Sequence, residues 1–271
     1  MTVLRRFHDK TVAGHPSWMQ INPTASVDMN FFDSGIISFF NQFAQSSWVF
    51  DKTVDLVEKN GLLKGGAIMA LFWYAWFRAD DERDRRSIVA TLVAALVAMA
   101  SARLLATFLP HRARPVHEDA LDFELPHGRL ESTLEGWSSF PSDHAVLFFT
   151  LSVGLLFVSR PLGSLALLHT LVIISLPRIY LGLHYPTDIL AGALLGGTLA
   201  VLANVFLIRS SFVSATVRMS RFRERADGQT QISLPGIFYP LFFLFSYQVA
   251  DMFTATRAVL NAIGTLAEKI F

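Results

Sequence analysis

The chain has 271 residues, a formal net charge of +1, 52% hydrophobic residues and only 17% charged ones, where an ordinary soluble domain carries roughly a quarter charged. A soluble domain of this length cannot hide 24 phenylalanines, so the composition asks for lipid as solvent and one membrane domain is the natural count. The absence of cysteine excludes disulfides, thiol nucleophiles and cysteine-based zinc sites, and the near-zero charge gives a nucleic-acid partner no global support.

The first thirty residues hold early basic residues without an apolar core, so they do not read as a signal peptide. Over 31–50 (FFDSGIISFFNQFAQSSWVF), Phe32, Ile36, Phe39, Phe40 and Phe43 share one helical face while Asp33, Asn41 and Gln45 lie elsewhere, the pattern of a helix lying in a membrane interface. Six segments then approach the roughly 20 apolar residues a spanning helix needs: 62–77, 88–109, 145–159, 163–181, 187–208 and 234–250. The expected fold is all-α, a polytopic bundle of about six membrane helices with amphipathic interfacial helices in the N-terminal region. Its expected organisation is an N-terminal extramembrane and interfacial segment (1–60), a six-helix-type core (61–210), and a basic loop, last span and amphipathic tail (211–271).

Loop charge sets an orientation. Arg78, Arg83, Arg85 and Arg86 follow the first span, Arg160 separates the third and fourth, and Arg209, Arg218, Arg221, Arg223 and Arg225 follow the fifth. These connections share one side, which the positive-inside rule makes cytoplasmic. Three polar clusters gather at the other side: His111–Pro115 after the second span, Pro141–His144 before the third, and Pro177–Asp188 between the fourth and fifth.

Each cluster has a chemistry. Arg112, Arg114 and Arg178 are forked, permanent cations suited to phosphate oxygens. Ser142, Asp143 and His144 stand at a helix N-terminus, where free N–H groups favour an anion. His184 and Asp188 are four apart, so on one helix the carboxylate can hold one ring nitrogen and leave the other as nucleophile or base. His144 is a second imidazole, available to protonate a leaving oxygen. Arg103, about two turns inside the second span, either snorkels or lines the pocket. Taken singly, these residues have plainer readings: arginines at helix ends snorkel, and Ser142, Asp143 and Asp188 are good N-caps. Their joint arrangement on one face is the inventory of phosphoryl transfer, which is mostly positioning and charge stabilisation.

Arg178-x5-His184-x3-Asp188, preceded by Pro141-Ser142-Asp143-His144 and by Arg114-Pro115, resembles the type 2 phosphatidic acid phosphatase family, which includes membrane lipid phosphatases and is related to vanadate haloperoxidases. The resemblance covers about residues 60–210. It implies a six-helix membrane core, no metal or other cofactor, and a phosphohistidine intermediate, with His184 as nucleophile, Asp188 as its orienting carboxylate and His144 as general acid. Ser142, Arg178 and Arg114 are implied as phosphate ligands, with Asp143, Arg112 and Arg103 beside them. Asp143 stands where the family usually has Gly, a feature of bacterial members resembling undecaprenyl-diphosphate phosphatases. Pro177 stands where Ser is usual, and Thr107 where the first motif begins with Lys, a charge that Arg103 or Arg112 is placed to replace.

The style of the sequence suggests a bacterial inner-membrane enzyme, with the site facing the periplasm or exterior, and the resemblance of Pro141-Ser142-Asp143-His144 implies a polyprenyl (undecaprenyl) diphosphate as substrate. Phosphatidylglycerol phosphate, phosphatidic acid or lipid A are alternative substrates, and a lipid phosphotransferase is the nearest alternative reaction. A metal hydrolase using His144, His184 and Asp188 is disfavoured by the nearby arginines. A transporter or lipid-binding protein is disfavoured because the polar groups gather at one surface rather than at the midplane.

Overall fold

The computed structural model describes residues 30–129, 134, 136–221, 239 and 241–245, which are helical with no strand among them. The interfacial segment expected as one helix over 31–50 is two helices, α1 (Phe31–Asn41) and α2 (Trp48–Lys59). Two local features break it: Gln45 adopts a left-handed φ of 58°, and Ser47 takes the extended N-cap conformation, its Oγ accepting from Phe50 N–H. Both helices face inward with their acids. Asp33 and Ile37 are the buried residues of α1, and Asp51 and Asp55 those of α2, while Phe31, Phe32, Phe39, Trp48 and Phe50 are exposed.

A π-helical turn (Leu62–Gly66) leads into α3 (Ala67–Arg78), and Asp81 caps the 27-residue α4 (Glu82–Phe108) through Arg83 N–H. Pro110 cannot continue α4 and holds Leu109 extended (ψ 157°). A long loop crosses the end of the bundle to α5 (Asp143–Leu156). Then come α6 (Arg160–His169), a π-helical stretch (Thr170–Ser175), α7 (Leu176–Tyr180) and α8 (Pro186–Val205). The region after the fifth span, expected as a basic loop, begins as the helix α9 (Ser211–Arg221), which buries Val213 and Val217.

Among the described residues, three helical runs are long and apolar enough to cross a membrane: Glu82–Phe108, Arg160–Tyr180 and Pro186–Arg209. α5 is a shorter apolar helix. Most of the expected 234–250 span, and the 251–271 tail, lie outside the described residues; Phe242 stacks against Trp76 with ring centroids 4.7 Å apart.

α5 is the central element, packed against α8, α4 and α6. Its closeness to α8 depends on two glycines. A Cβ on Gly192 falls 2.7 Å from Ala145 Cβ, and one on Gly196 falls 2.3 Å from the Val146 carbonyl. A Cβ on Gly197 meets only the Val153 side chain of α5, at an ordinary 3.8 Å, so the close approach does not depend on it. Thr150 Oγ1 donates across the same seam to the Gly196 carbonyl (3.1 Å). Since α5 begins with Asp143-His144 and α8 begins beside His184, this seam fixes the spacing of the two histidine motifs.

Candidate active site

The N-termini of α5 and α8, the C-terminal part of α4, α7 and the crossing loop meet at one end of the bundle. Ser142 caps α5, its Oγ accepting from Ala145 N–H (3.4 Å) while its own N–H donates to the Asp188 carbonyl (3.2 Å). It is fully buried and does not line the cavity, so it joins two helix starts. Asp143 and His144 do line it. Asp143 Oδ1 takes the His144 N–H (2.8 Å) and stands 2.9 Å from His144 Nδ1, while Oδ2 pairs with Arg103 at 2.7 Å. Arg103 therefore reaches into the site from α4, lying over the Trp137 ring at 5.4 Å.

Arg114 is held by three carbonyls: Leu183 (2.5 Å), Trp137 (3.2 Å) and Ser138 (3.2 Å). The same guanidinium stands 3.4 Å from His184 Nε2. The other nitrogen, Nδ1, lies 2.8 Å from the Ser139 carbonyl. A carbonyl only accepts, so Nδ1 carries the proton and Nε2 carries the lone pair, which accepts from Arg114 at the wall of the cavity that both residues line. Burial pushes the His184 pKa below its ordinary value; Asp188 works against this and Arg114 with it.

Asp188 lies on the expected side of His184, at 3.6 Å from Nδ1, but the nearer contact is the Ser139 carbonyl. Both carboxylate oxygens also hold other donors. Oδ2 accepts Tyr185 N–H (2.8 Å), closing the α8 cap, and Oδ1 accepts Arg112 at 2.5 Å. Arg112 is thus turned away from the cavity. It bridges Asp188 to the fully buried Asp33 of α1 (2.7 Å), bonds Thr187 Oγ1 (2.9 Å) and lies 3.9 Å from the Tyr185 ring centroid. Burial opposes its charge, but the two carboxylates outweigh that and raise its pKa. Arg112 is the one expected cation that the structure does not bring to the cavity.

Arg178 donates from Nη1 to the Ile174 carbonyl (3.0 Å), and its Nη2 meets Glu58 Oε1 at 3.4 Å. Glu58 also pairs with Arg129 (3.0 Å) and Lys64 (3.9 Å). Burial raises the Glu58 pKa, but Arg178, Lys64, Arg129 and His144 bring it down to about 2.

Two connected spaces result. A tight pocket of about 20 Å³ is walled by Glu58, Arg103, Arg114, Asp143, His144, Arg178 and His184, with Leu134, Trp137 and Leu183. A larger groove of about 480 Å³ shares Arg103, Arg114, Trp137, Asp143 and His184 with it and runs along Ala102, Ala106 and Thr107 of α4. Thr107, where the resemblance expects Lys, lines this groove one turn beyond Arg103. Among the described residues, no three His, Asp or Glu side chains gather as metal ligands.

Sequence reasoning missed Glu58, Trp137, Asp33 and the Ser139 carbonyl. Asp51, Asp55 and Glu58 do recur at helical spacing opposite Val49 and Leu56, which marks a two-faced helix but not which face meets protein.

Residues 87–212, from α4 to the start of α9, match the PAP2 superfamily. Over parts of its length the chain resembles proteins named as undecaprenyl-diphosphatases. It is 29% identical to the bacitracin transport permease protein BcrC of Bacillus licheniformis over 110 residues, 41% of this chain and 48% of that one. It is 41% identical to the putative undecaprenyl-diphosphatase YbjG of Escherichia coli over 58 residues, 21% of this chain and 29% of that one. It is 28% identical to the lipid A 1-diphosphate synthase of Escherichia coli over 172 residues, 60% of this chain and 70% of that one. The chain spans about half or less of the length of the first two relatives. No solved structure matches.

Proposed function

We propose that the chain is an integral membrane phosphatase that hydrolyses an amphiphilic lipid phosphate or diphosphate, a polyprenyl diphosphate first among them, through phosphohistidine at His184. One observation carries the reading: the Nε2 lone pair of His184 faces a pocket where Arg103, Arg114, Arg178 and His144 converge.

In this reading Nε2 attacks the terminal phosphorus and the phosphorus–oxygen bond to the lipid breaks. His144 gives its proton to the departing oxygen. Water then attacks phosphorus, passes its proton to His144, and releases inorganic phosphate with His184 restored. Arg103, Arg114 and Arg178 stabilise the charge on the transferring group. Asp188 and Arg112 act behind the ring, as positioning groups. The groove along Ala102, Ala106 and Thr107 receives the start of the lipid tail.

The six-span topology belongs to the same reading, with 61–210 as the phosphatase core, the site at the outer face of a bacterial inner membrane and the arginines from Arg78 to Arg86 at the cytoplasmic end. The test is phosphate release by the detergent-purified chain, in EDTA, on polyprenyl diphosphate, phosphatidylglycerol phosphate and phosphatidic acid. Release that His184→Ala abolishes supports the reading, and full activity in that variant sinks it.

A second reaction has its own support. The match to lipid A 1-diphosphate synthase covers 60% of this chain, and a phosphohistidine can pass its phosphoryl to a lipid hydroxyl or phosphate instead of to water. Label from the diphosphate donor found on a second lipid, rather than in solution, would favour transfer.

A further inference from the structure

Each of two arginines in the pocket wall already holds an acid: Arg103 holds Asp143 at 2.7 Å and Arg178 holds Glu58 at 3.4 Å. Glu58 comes from α2, outside the stretch that matches the PAP2 superfamily. It keeps three cations around one carboxylate, and the contact with Arg178 is longer than the 3.0 Å contact with Arg129. Lys64 stands at 3.9 Å. Arg178 has a second anchor of its own, the Ile174 carbonyl. Glu58 can therefore let go of Arg178 without becoming an unpaired buried charge, and Arg178 can turn to a new anion without losing its seat.

Resting on the phosphatase reading above, we propose that Glu58 is a resident anion of the phosphate pocket. It occupies Arg178 until a phosphate takes that position, withdraws onto Arg129 and Lys64, and returns to eject the product. Glu58 thus sets how tightly phosphate is held, acting through Arg178 as a positioning residue. With a pKa near 2 it remains an anion at every working pH. A fixed negative charge beside the bound phosphate weakens the ground-state complex, and a pocket of unopposed arginines would retain inorganic phosphate and stall.

The test is binding of inorganic phosphate to the full chain in detergent, by calorimetry, alongside lipid turnover. Glu58→Gln removes the competing charge and keeps the shape. The expected result is phosphate bound about tenfold tighter, equivalent to about 1.4 kcal/mol, with KM and kcat both reduced because product leaves slowly. Arg129→Gln takes away the residue that receives Glu58, so Glu58 stays on Arg178 and phosphate binds several-fold more weakly. Glu58→Asp retains the charge but draws it back from Arg178 by one methylene, so phosphate binding is expected between that of the wild type and that of Glu58→Gln. A merely structural latch between α2 and α7 gives the other sign, with weaker phosphate binding and a lower melting temperature in Glu58→Gln. Weaker or unchanged binding there overturns the proposal while leaving the phosphatase reading intact. If Glu58→Gln does not fold, Arg129→Gln decides, and unchanged binding overturns the proposal. Failure of the wild type both to bind phosphate and to release it from any lipid overturns the phosphatase reading and this proposal with it.

Discussion

At the scale of single residues, the way His184 is held determines what its neighbours contribute. In a serine-protease triad, replacing the aspartate by asparagine costs about 10⁴ in rate, because the imidazole adopts the wrong tautomer. Here the Ser139 carbonyl, at 2.8 Å, fixes the tautomer without help from Asp188. Asp188→Asn is therefore expected to lose about 10²-fold or less in kcat, and His184→Ala about 10³-fold or more. Phosphate release by the purified variants checks both. Burial depresses the His184 pKa, and the charged groups facing the ring are Asp188 and Asp143, which raise it, and Arg114, which lowers it. In the proposed mechanism His184 must be neutral to attack, so the acidic limb of kcat/KM attributable to it is expected below the ordinary 6.5. Asp188→Asn removes a raising group and moves that limb lower still. The same sign applies to stability: the unfolded chain binds this proton more readily, so the contribution of a neutral His184 is present above about pH 6.5 and is lost as pH falls below it. His184, His144, Arg114 and Arg178 could be singled out from sequence because each lies in a short spacing pattern. Glu58 could not, because its partner Arg178 is 120 residues away.

At the scale of elements, two contacts set the geometry of the site. One is the α5–α8 seam. Gly196→Ala puts a methyl 2.3 Å from a backbone carbonyl, and overpacking of this kind costs about 1–3 kcal/mol. A lowered melting temperature with reduced activity is expected, because the helices carrying His144 and Asp188 are pushed apart. Gly197→Ala, whose methyl meets only Val153 at an ordinary 3.8 Å, is the matched control and is expected neither to lower the melting temperature nor to reduce activity. Gly192, Gly196 and Gly197 stand together in the sequence of α8, and only the fold separates the two where a methyl would clash with α5 from the one where it would not. The other contact is the docking of α1. Arg112→Ala leaves Asp33 and Asp188 buried without their shared cation, a loss of about 3 kcal/mol by comparison with other broken buried pairs. Thermal unfolding in detergent is expected to show it, with Arg112→Lys intermediate because a lone ammonium cannot span both acids as the fork does. The amphipathic pattern of 31–50 was legible. Its break at Gln45 and Ser47 was not, because the apolar face carries through both helices and only the cap and the left-handed residue interrupt it.

At the scale of the whole molecule, the chain combines an apolar bundle with one polar end, and its N-terminal helices are built with their acids inward. Asp33, Asp51, Asp55 and Glu58 all meet cationic or hydrogen-bonding groups of the functional end: Asp33 meets Arg112, Asp51 meets His127, and Asp55 and Glu58 meet Arg129. These helices carry exposed phenylalanine and tryptophan on their outer faces, a fit to the membrane interface. Asp51→Asn is expected to loosen the loop it holds through His127 N–H at 2.8 Å, raising hydrogen exchange over residues 124–129 while the exchange of α5 stays unchanged. Membrane character was legible from composition, and the gathering of the three polar motifs at one end from their places between the apolar segments. The recruitment of residues 30–60 into the site was not, because a pattern of apolar and acidic residues records that a helix has two faces but not which face meets protein.

The most direct test of the central claim is to trap the covalent intermediate. The purified chain is mixed with polyprenyl diphosphate labelled at its terminal phosphorus and quenched in base within the first turnover, and the label is then located by peptide mass. The account predicts acid-labile, base-stable phosphate on His184, absent from His184→Ala. Phosphate release with no labelled protein, or with the label on another residue, would contradict it.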